Sequence, residues 1–378
     1  MNIEADARAR AAEQLGGTGA FPQPWMREIF LAVPRHRFVP DTVWLEEADG
    51  YRSFTRSSDE DRWMSLVYDP GEALVTQVDD GRTPAGAVGE VPTSSISALG
   101  AVFAMLAETG LEPGHHVLEI GAGTGYNAAL LAERAAAGQV TTVEIDPAVC
   151  AQARTALAAT GYEQVTVVRA DGEHGYPPDR PYDLVLSTAA VLHVPYAWVE
   201  QTRPGGVIVT PWRTAFCNYG LARLTVGADG TACGRFAGAM TFMTVRGQRP
   251  HTPITDLYSA ERWQQARESL LAPDDLVRRL ADPHAAFAVG LRLPGVAHWP
   301  QDGGHWWCSS NSWAHADDEG ALHQWGPRDL ATETARALDA WHADGRPTLF
   351  EYGLTVAKDA TAFWLGDPGH PLPLQEPR

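Results

Sequence analysis

From residue 97 onward, short apolar runs alternate with stretches whose apolar residues recur at helical spacing. Residues 97–109 carry such spacing. Val117–Ile120 is then a four-residue apolar run, followed by a glycine-rich turn and a second helix-spaced stretch, 126–136. Val140–Glu144 predicts another strand, and Pro147 opens a helix reaching about residue 160. Three more strands are predicted at 165–168, 183–187 and 206–210. Strands alternating with helices predict a parallel sheet covered on both faces. Two later runs, 220–226 and 240–245, are separated by a stretch opening with Gly227-Ala228-Asp229-Gly230. They predict an antiparallel pair closing the edge of the sheet.

The flanks are less regular. Residues 1–20 read as a helix broken by Gly16-Gly17-Thr18-Gly19. Residues 22–33 read as a second helix, entered through Pro22 and Pro24 and ended by Val33-Pro34-Arg35-His36-Arg37-Phe38-Val39-Pro40. Residues 41–90 are of mixed charge, with a turn at Asp79-Asp80-Gly81 and prolines at 70 and 84 that interrupt any long element. An irregular, extended cover with short strands is expected there. Beyond 249 the pattern changes again. Helices are expected at 258–271, 273–282 and 328–343, and short strands at 286–293, 349–355 and 361–365. The chain thus divides into residues 1–90, an α/β domain at 91–248, and an α+β module at 249–378.

Composition narrows the function. The 378 residues carry a net charge of −18 and no basic stripe, which argues against nucleic acid as a partner. No apolar run approaches a membrane span, and no apolar stretch follows a basic start, so a cytoplasmic protein without membrane contact is expected. The four cysteines are widely spaced, which suggests neither a disulfide framework nor a zinc site. His305-Trp306-Trp307-Cys308 has no partner ligands at matching spacing, so no metal is expected.

The densest chemistry lies in Glu119-Ile120-Gly121-Ala122-Gly123-Thr124-Gly125-Tyr126, between a predicted strand and a predicted helix. Glycines there let the backbone turn tightly and approach a ligand closely. Glu144, at the end of the second strand, has the spacing at which a carboxylate accepts hydrogen bonds from ribose hydroxyls. Asp171-Gly172 follows the third strand, where a carboxylate can accept from an adenine amino group. Two ligands compete. A dinucleotide needs its pyrophosphate on the helix N-terminus. Here the spacing is GxGxG, and Glu119 precedes the first glycine. An acid suits a cationic, amine-bearing ligand such as S-adenosylmethionine.

These passages together resemble the class I methyltransferases, and more narrowly the protein-L-isoaspartate O-methyltransferases. Val33 to Pro40 is similar to that family's N-terminal Val-Pro-Arg…Phe-Val-Pro element. Ser95-Ile96-Ser97-Ala98 resembles its Thr-Ile-Ser segment, and Leu118 to Tyr126 its cofactor loop. Pro181-Tyr182-Asp183 through Thr188-Ala189-Ala190 resembles its fourth strand. Arg203-Pro204-Gly205-Gly206 through Thr210-Pro211-Trp212 resembles its Lys-Pro-Gly-Gly…Pro-Val. Leu99 departs from the family's proline, and Ser187-Thr188 from the small residue before Ala-Ala. The resemblance implies a class I methyltransferase Rossmann-like sheet. It implies cofactor contacts from Glu119, Gly121, Gly123, Gly125, Tyr126, Glu144, Ile145, Asp171, Gly172 and Thr188, with S-adenosyl-L-methionine as co-substrate. The longer layout, with Gly345-Arg346-Pro347…Tyr352-Gly353-Leu354-Thr355-Val356, looks like the members found with ribosomally made modified peptides of the lanthipeptide and graspetide types. Those are known for methylating an aspartate that closes to an aspartimide and can open to isoaspartate.

Thr93, Ser94, Ser95 and Ser97 place four hydroxyls just before a helix. Such residues either cap the helix or orient an ionised carboxylate without the tight pairing of a Lys or Arg. By resemblance, Ser97 contacts the substrate carboxylate and Ser95 replaces the family's threonine, with Thr93 completing the catalytic group and Ser94 and Ala189 on the substrate side. Trp212, after the fifth strand, serves either peptide contact or packing. His193 either lines the pocket or is structural. The tryptophans beyond 249 form either an aromatic peptide groove or core anchors. The expected function is methylation of an aspartate in a modified precursor peptide. The alternatives are repair of isoaspartyl damage in proteins, and a non-catalytic peptide-binding module on the same fold.

Overall fold

The computed structural model describes residues 3–136, 139–249, 254–301 and 303–373. They cluster into two units. The first holds 1–189, 195–210 and 223–231; the second holds 190–194, 211–222 and 232–378. The division therefore does not follow the three consecutive stretches expected from composition. Residues 1–90 belong to the same unit as the glycine-rich turn, and the boundary crosses the strands Thr202–Arg213 and Asn218–Val226.

The first unit is built on parallel strands. Val117–Ile120 lies between Val140–Glu144 and Tyr182–Ser187, pairing with both in parallel. Thr166–Arg169 extends the sheet beyond Val140–Glu144, and Thr202–Arg213 extends it beyond Tyr182–Ser187. All four residues of Val117–Ile120 are buried, as expected for a central strand covered on both faces. Chain order runs outward from Val117–Ile120 on one side, then resumes on the other. The strand order thus reverses beside Val117–Ile120, and in open α/β sheets ligands bind at the carboxyl ends of the strands at such a point. Helices Tyr126–Ala135 and Pro147–Ala159 connect the strands; Asp146 caps the second through the amides of Ala148 and Val149.

Residues 41–90 are more ordered than the sequence predicted. Val88–Gly89, Gly50–Thr55, Thr42–Glu47, Leu74–Val78 and Pro92–Ile96 form a five-stranded antiparallel sheet in that order. A helix, Glu60–Val67, crosses between its strands, capped by Asp59 and buried through Trp63, Met64 and Val67. The hydroxyl segment Pro92–Ile96 is the last strand of this sheet.

The second unit holds Ala232–Gly238, Tyr352–Ala357 and Ala360–Leu365 as an antiparallel set. The expected strand at 240–245 is absent; Ala232–Gly238 takes its place, because it pairs residue by residue with Tyr352–Ala357. The expected strand at 286–293 is the helix Pro283–Arg292, capped by Asp282 through the amide of His284. A further antiparallel sheet runs Arg267–Glu268, Leu322–Trp325, Trp313–Asp317, Gly304–Cys308 and Ala297–Gln301. Trp307 and Trp313 are fully buried there, while Trp263 stacks on Trp313 at 5.4 Å between ring centroids. Trp307 and Trp313 are core anchors, while Trp263, Trp299, Trp306 and Trp325 are half-buried. The antiparallel set is tightly packed: a Cβ at Gly353 would lie 2.2 Å from the Trp364 ring. Gly353→Ala is expected to lower stability by about 1–3 kcal/mol through overpacking, read as an earlier denaturant midpoint with an unchanged slope.

Candidate active site

The glycine turn leaves the carboxyl end of Val117–Ile120, where the strand order reverses. Gly121, Gly123 and Gly125 have φ of +91°, +52° and +86°, a region that penalises any Cβ. The amides of Gly121 and Ala122 both donate to the Val143 carbonyl, at 2.8 and 3.2 Å, which folds the turn over the second strand. Space adds to the demand. A Cβ at Gly121 would sit 2.8 Å from Thr188 Oγ1, and one at Gly125 3.1 Å from Leu157 Cγ. Thr188 donates its amide to Ile120 O at 2.9 Å and its hydroxyl to Gly121 O at 2.6 Å. It therefore ties the end of the fourth strand to the turn.

The acids divide into two kinds. Glu144 Oε2 accepts from the Gly123 amide at 3.1 Å, and Oε1 from the Asp146 amide at 3.0 Å. Burial holds its carboxyl above the usual range, against the pull of those amides. Each oxygen keeps a lone pair for a ligand hydroxyl, and Ile145 lies half-buried beside it. Asp171 is partly exposed and accepts from the Glu173 amide at 3.0 Å, with Gly172 packed over Ile120. Glu119 differs. It is fully buried, accepting from Asn127 Nδ2 at 2.7 Å and from the Thr142 hydroxyl. Its two oxygens are engaged by the first turn of the following helix and by the neighbouring strand. Tyr126 is likewise 2% exposed, with its ring against Phe38 and Arg35. Both side chains are packed inside the cradle, bonded to or stacked on protein groups.

Burial raises the Glu119 carboxyl to about 7, while its hydrogen bonds to Thr142 and Asn127 pull it down. The folded chain therefore holds this proton at pH values where the unfolded chain has lost it. The group's contribution to stability is full below the unfolded value of 4.5 and declines as pH rises to about 7. Glu119→Gln is expected to gain on the parent by about 2–3 kcal/mol between pH 5 and pH 8, read from denaturant titrations at each pH. A pH-independent difference would show that Glu119 is ionised throughout.

The hydroxyl segment reaches the turn from the antiparallel sheet. The Ser95 carbonyl lies 3.5 Å from the Cβ position of Gly123. Helix Leu99–Thr109 has Ala98 at its N-cap and no side-chain cap, so this cluster does not cap it. Thr93 Oγ1 donates to Gln77 Oε1 at 2.9 Å and accepts from the Asp80 amide at 3.1 Å, and Ser94 Oγ accepts from Thr76 at 3.2 Å. Those two hydroxyls hold the sheet together. The hydroxyls of Ser95 and Ser97, both half-buried, have no hydrogen-bond partner among the described residues. Ala189 adjoins Thr188, with its carbonyl accepting from the Ser187 hydroxyl at 2.6 Å.

The remaining expected substrate residues fall in the second unit. Trp212 is 2% exposed and packs against Phe236, Phe287 and Phe363 at 5.2–5.9 Å. It is a core residue, and of its two readings packing is the one observed. His193 is exposed, and the backbone on either side of it is clamped by Gln248, which accepts from Leu192 N and His193 N. Arg35 was missed as a site residue although its motif stood out. It is fully buried and contacts Ser97. Among the described residues no group of three or more His, Cys, Asp or Glu could hold a metal ion.

The family model for protein-L-isoaspartate(D-aspartate) O-methyltransferase matches residues 83–249. A protein-L-isoaspartate O-methyltransferase of Methanopyrus kandleri is 37% identical over 207 residues, covering 54% of this chain and 76% of that protein. The chain belongs to the protein-L-isoaspartate O-methyltransferase family. A second member, from Pyrococcus horikoshii, is 30% identical over 240 residues and is covered over 92% of its length. A solved structure described as a protein-L-isoaspartate O-methyltransferase aligns with a TM-score of 0.55 at 22% identity, covering 95% of this chain and all of that one. It shares the fold: the class I methyltransferase α/β sheet with further β structure. The family matches embrace the glycine turn, Glu144, Asp171 and the hydroxyl strand together.

Proposed function

We propose that this protein is an S-adenosylmethionine-dependent carboxyl O-methyltransferase acting on an aspartyl-derived side chain of a peptide. The observation that carries the reading is the pair of unengaged hydroxyls, Ser95 on the strand that lies against Gly123 of the glycine turn and Ser97 just beyond its end. Names of the relatives from Methanopyrus kandleri and Pyrococcus horikoshii support the same reaction class.

The cradle fits the cofactor on its own chemistry. Three positive-φ glycines let the turn pack tightly against Thr188 and Leu157 and keep its backbone free of side chains, Glu144 offers acceptors for ribose hydroxyls, and Asp171 offers one more at the end of the third strand. S-adenosylmethionine supplies an electrophilic methyl on a sulfonium. An aspartyl carboxyl is ionised at neutral pH, so the protein has no proton to remove from it. Ser97 and Ser95 donate to one carboxylate oxygen and leave the other to attack. The oxygen–methyl bond forms as the carbon–sulfur bond breaks, and the electron pair of that bond goes to sulfur. Two hydroxyl donors orient the carboxylate without the strong charge pairing that would blunt it. In the methyl ester, the next backbone nitrogen can attack the carbonyl, lose its proton and expel methanol, closing a succinimide without help from a side chain.

For the substrate we propose an aspartate of a ribosomally made, modified peptide. The resemblance of 345–356 to the peptide-modifying members supports it. The rival, isoaspartyl repair, is favoured by the names of the relatives. Length does not separate the two, because the solved isoaspartate methyltransferase covers 95% of this chain. Mass spectrometry of two peptides incubated with enzyme and S-adenosylmethionine decides. Methyl gain followed by net loss of water, on a modified precursor encoded beside the gene and not on a generic isoaspartyl peptide, supports peptide maturation. Methylation of the isoaspartyl peptide alone supports repair. Methylation of neither removes the carboxyl-methyltransferase reading.

A further inference from the structure

Val33, Phe38 and Val39 are buried around the short turn Arg35–Arg37 and drive Arg35 into the interior, where it is 0% exposed. Its guanidinium is used on three sides. Nε donates to the Val67 carbonyl at 2.6 Å, at the end of helix Glu60–Val67, where terminal carbonyls lack helical partners. Nη2 donates to the Ser97 carbonyl at 2.9 Å. Cζ lies 5.2 Å from the centroid of the Tyr126 ring, the first residue of the helix that follows the glycine turn. Among the described residues Arg35 has no carboxylate in salt-bridge contact, and Nη1 is buried without a partner. Burial draws the group down to about 10, so it remains charged at neutral pH.

A buried charge is costly where no carboxylate touches it, and the Asp69 carboxylate acts on Arg35 only from beyond contact, so an apolar side chain would fill the same volume with less penalty. What the guanidinium adds is geometry. Its planar fork fixes two carbonyls at once and lays its face on an aromatic ring, which a lysine cannot reproduce. One of those carbonyls is that of Ser97, whose own hydroxyl is left unengaged. The other members of the junction are fixed separately: the Gly100 amide donates to the Pro70 carbonyl at 2.9 Å.

We propose that Arg35 is a positioning residue, which holds the Ser97 peptide so that its hydroxyl meets the substrate carboxylate beside the cofactor turn. The inference rests on the carboxyl-methyltransferase reading above. Arg35 touches neither substrate nor cofactor; it acts through Ser97.

The test uses the full chain as Arg35→Lys and Arg35→Gln, each alone and combined with Ser97→Ala. Calorimetry with S-adenosylhomocysteine reads the cofactor site, and kcat and KM are read on whichever carboxyl peptide the parent methylates. Cofactor affinity is expected within about threefold of the parent, with kcat falling about 10- to 100-fold and KM moving less, because a small misplacement of a reacting group costs that much. Lysine is expected to retain more activity than glutamine. In the Ser97→Ala background the Arg35 change should cost under about threefold, since coupled residues are not additive. An unchanged kcat overturns the proposal. So does loss of cofactor binding in both variants, which makes Arg35 a residue of the fold alone, and so do losses that multiply in the double variant. A parent inactive on every carboxyl peptide removes the underlying reaction, and is seen before any variant is made.

Discussion

Ser97→Ala is expected to lower turnover by roughly 10- to 100-fold, the range for a lost hydrogen bond to a charged group. Cofactor affinity should not change, because Ser97 lies on the strand-to-helix junction and outside the turn. Among the described residues the Ser97 hydroxyl has no partner, so its removal leaves none of them unsatisfied and stability should hold. Initial rates at saturating cofactor, together with calorimetry on S-adenosylhomocysteine, check both halves. Full activity in this variant would take Ser97 out of the site and leave Ser95 as the remaining unengaged hydroxyl of the strand.

Glu144→Ala is expected to weaken S-adenosylhomocysteine binding roughly 100-fold, since each hydrogen bond to a charged group contributes about 1.5–3 kcal/mol. Two effects act together. On the proposed cofactor placement the ribose hydroxyls lose their acceptor, and the Gly123 amide loses the carboxylate that it donates to at 3.1 Å. Turnover at saturating cofactor should fall far less than affinity, because the role proposed for Glu144 is in holding the cofactor and not the substrate. Affinity within about threefold of the parent would show that the ribose is held elsewhere.

The glycine turn was legible because positive φ writes itself into sequence: only glycine takes +91° next to Thr188 without strain. Glu144 and Asp171 were legible because each sits one strand further along a repeating unit. The antiparallel sheet over 42–96 was not. Its strands are short and of mixed charge, and their stability comes from partners distant in sequence, as where Val75 pairs with Ser95. The 286–293 stretch was apolar enough for a strand, yet Asp282-Pro283 at its head is a helix entry, and that signal could have found it. Ala232–Gly238 lacks strand-forming side chains that 240–245 possesses. Pairing with Tyr352–Ala357 outweighed that local preference.

Sequence by itself determined the succession of strands and helices, the glycine turn with an acid at the end of the next strand, and the identity of the hydroxyl cluster. These depend on periodicity and on backbone conformations that few residues tolerate. Tertiary structure decided which hydroxyls are available, since Thr93 and Ser94 are consumed by Gln77 and Thr76 while Ser95 and Ser97 are not. It also turned Glu119, Tyr126 and Trp212 inward and joined Arg35 to Ser97. Burial and pairing are properties of the surroundings of a side chain, and those surroundings come from segments far apart along the chain.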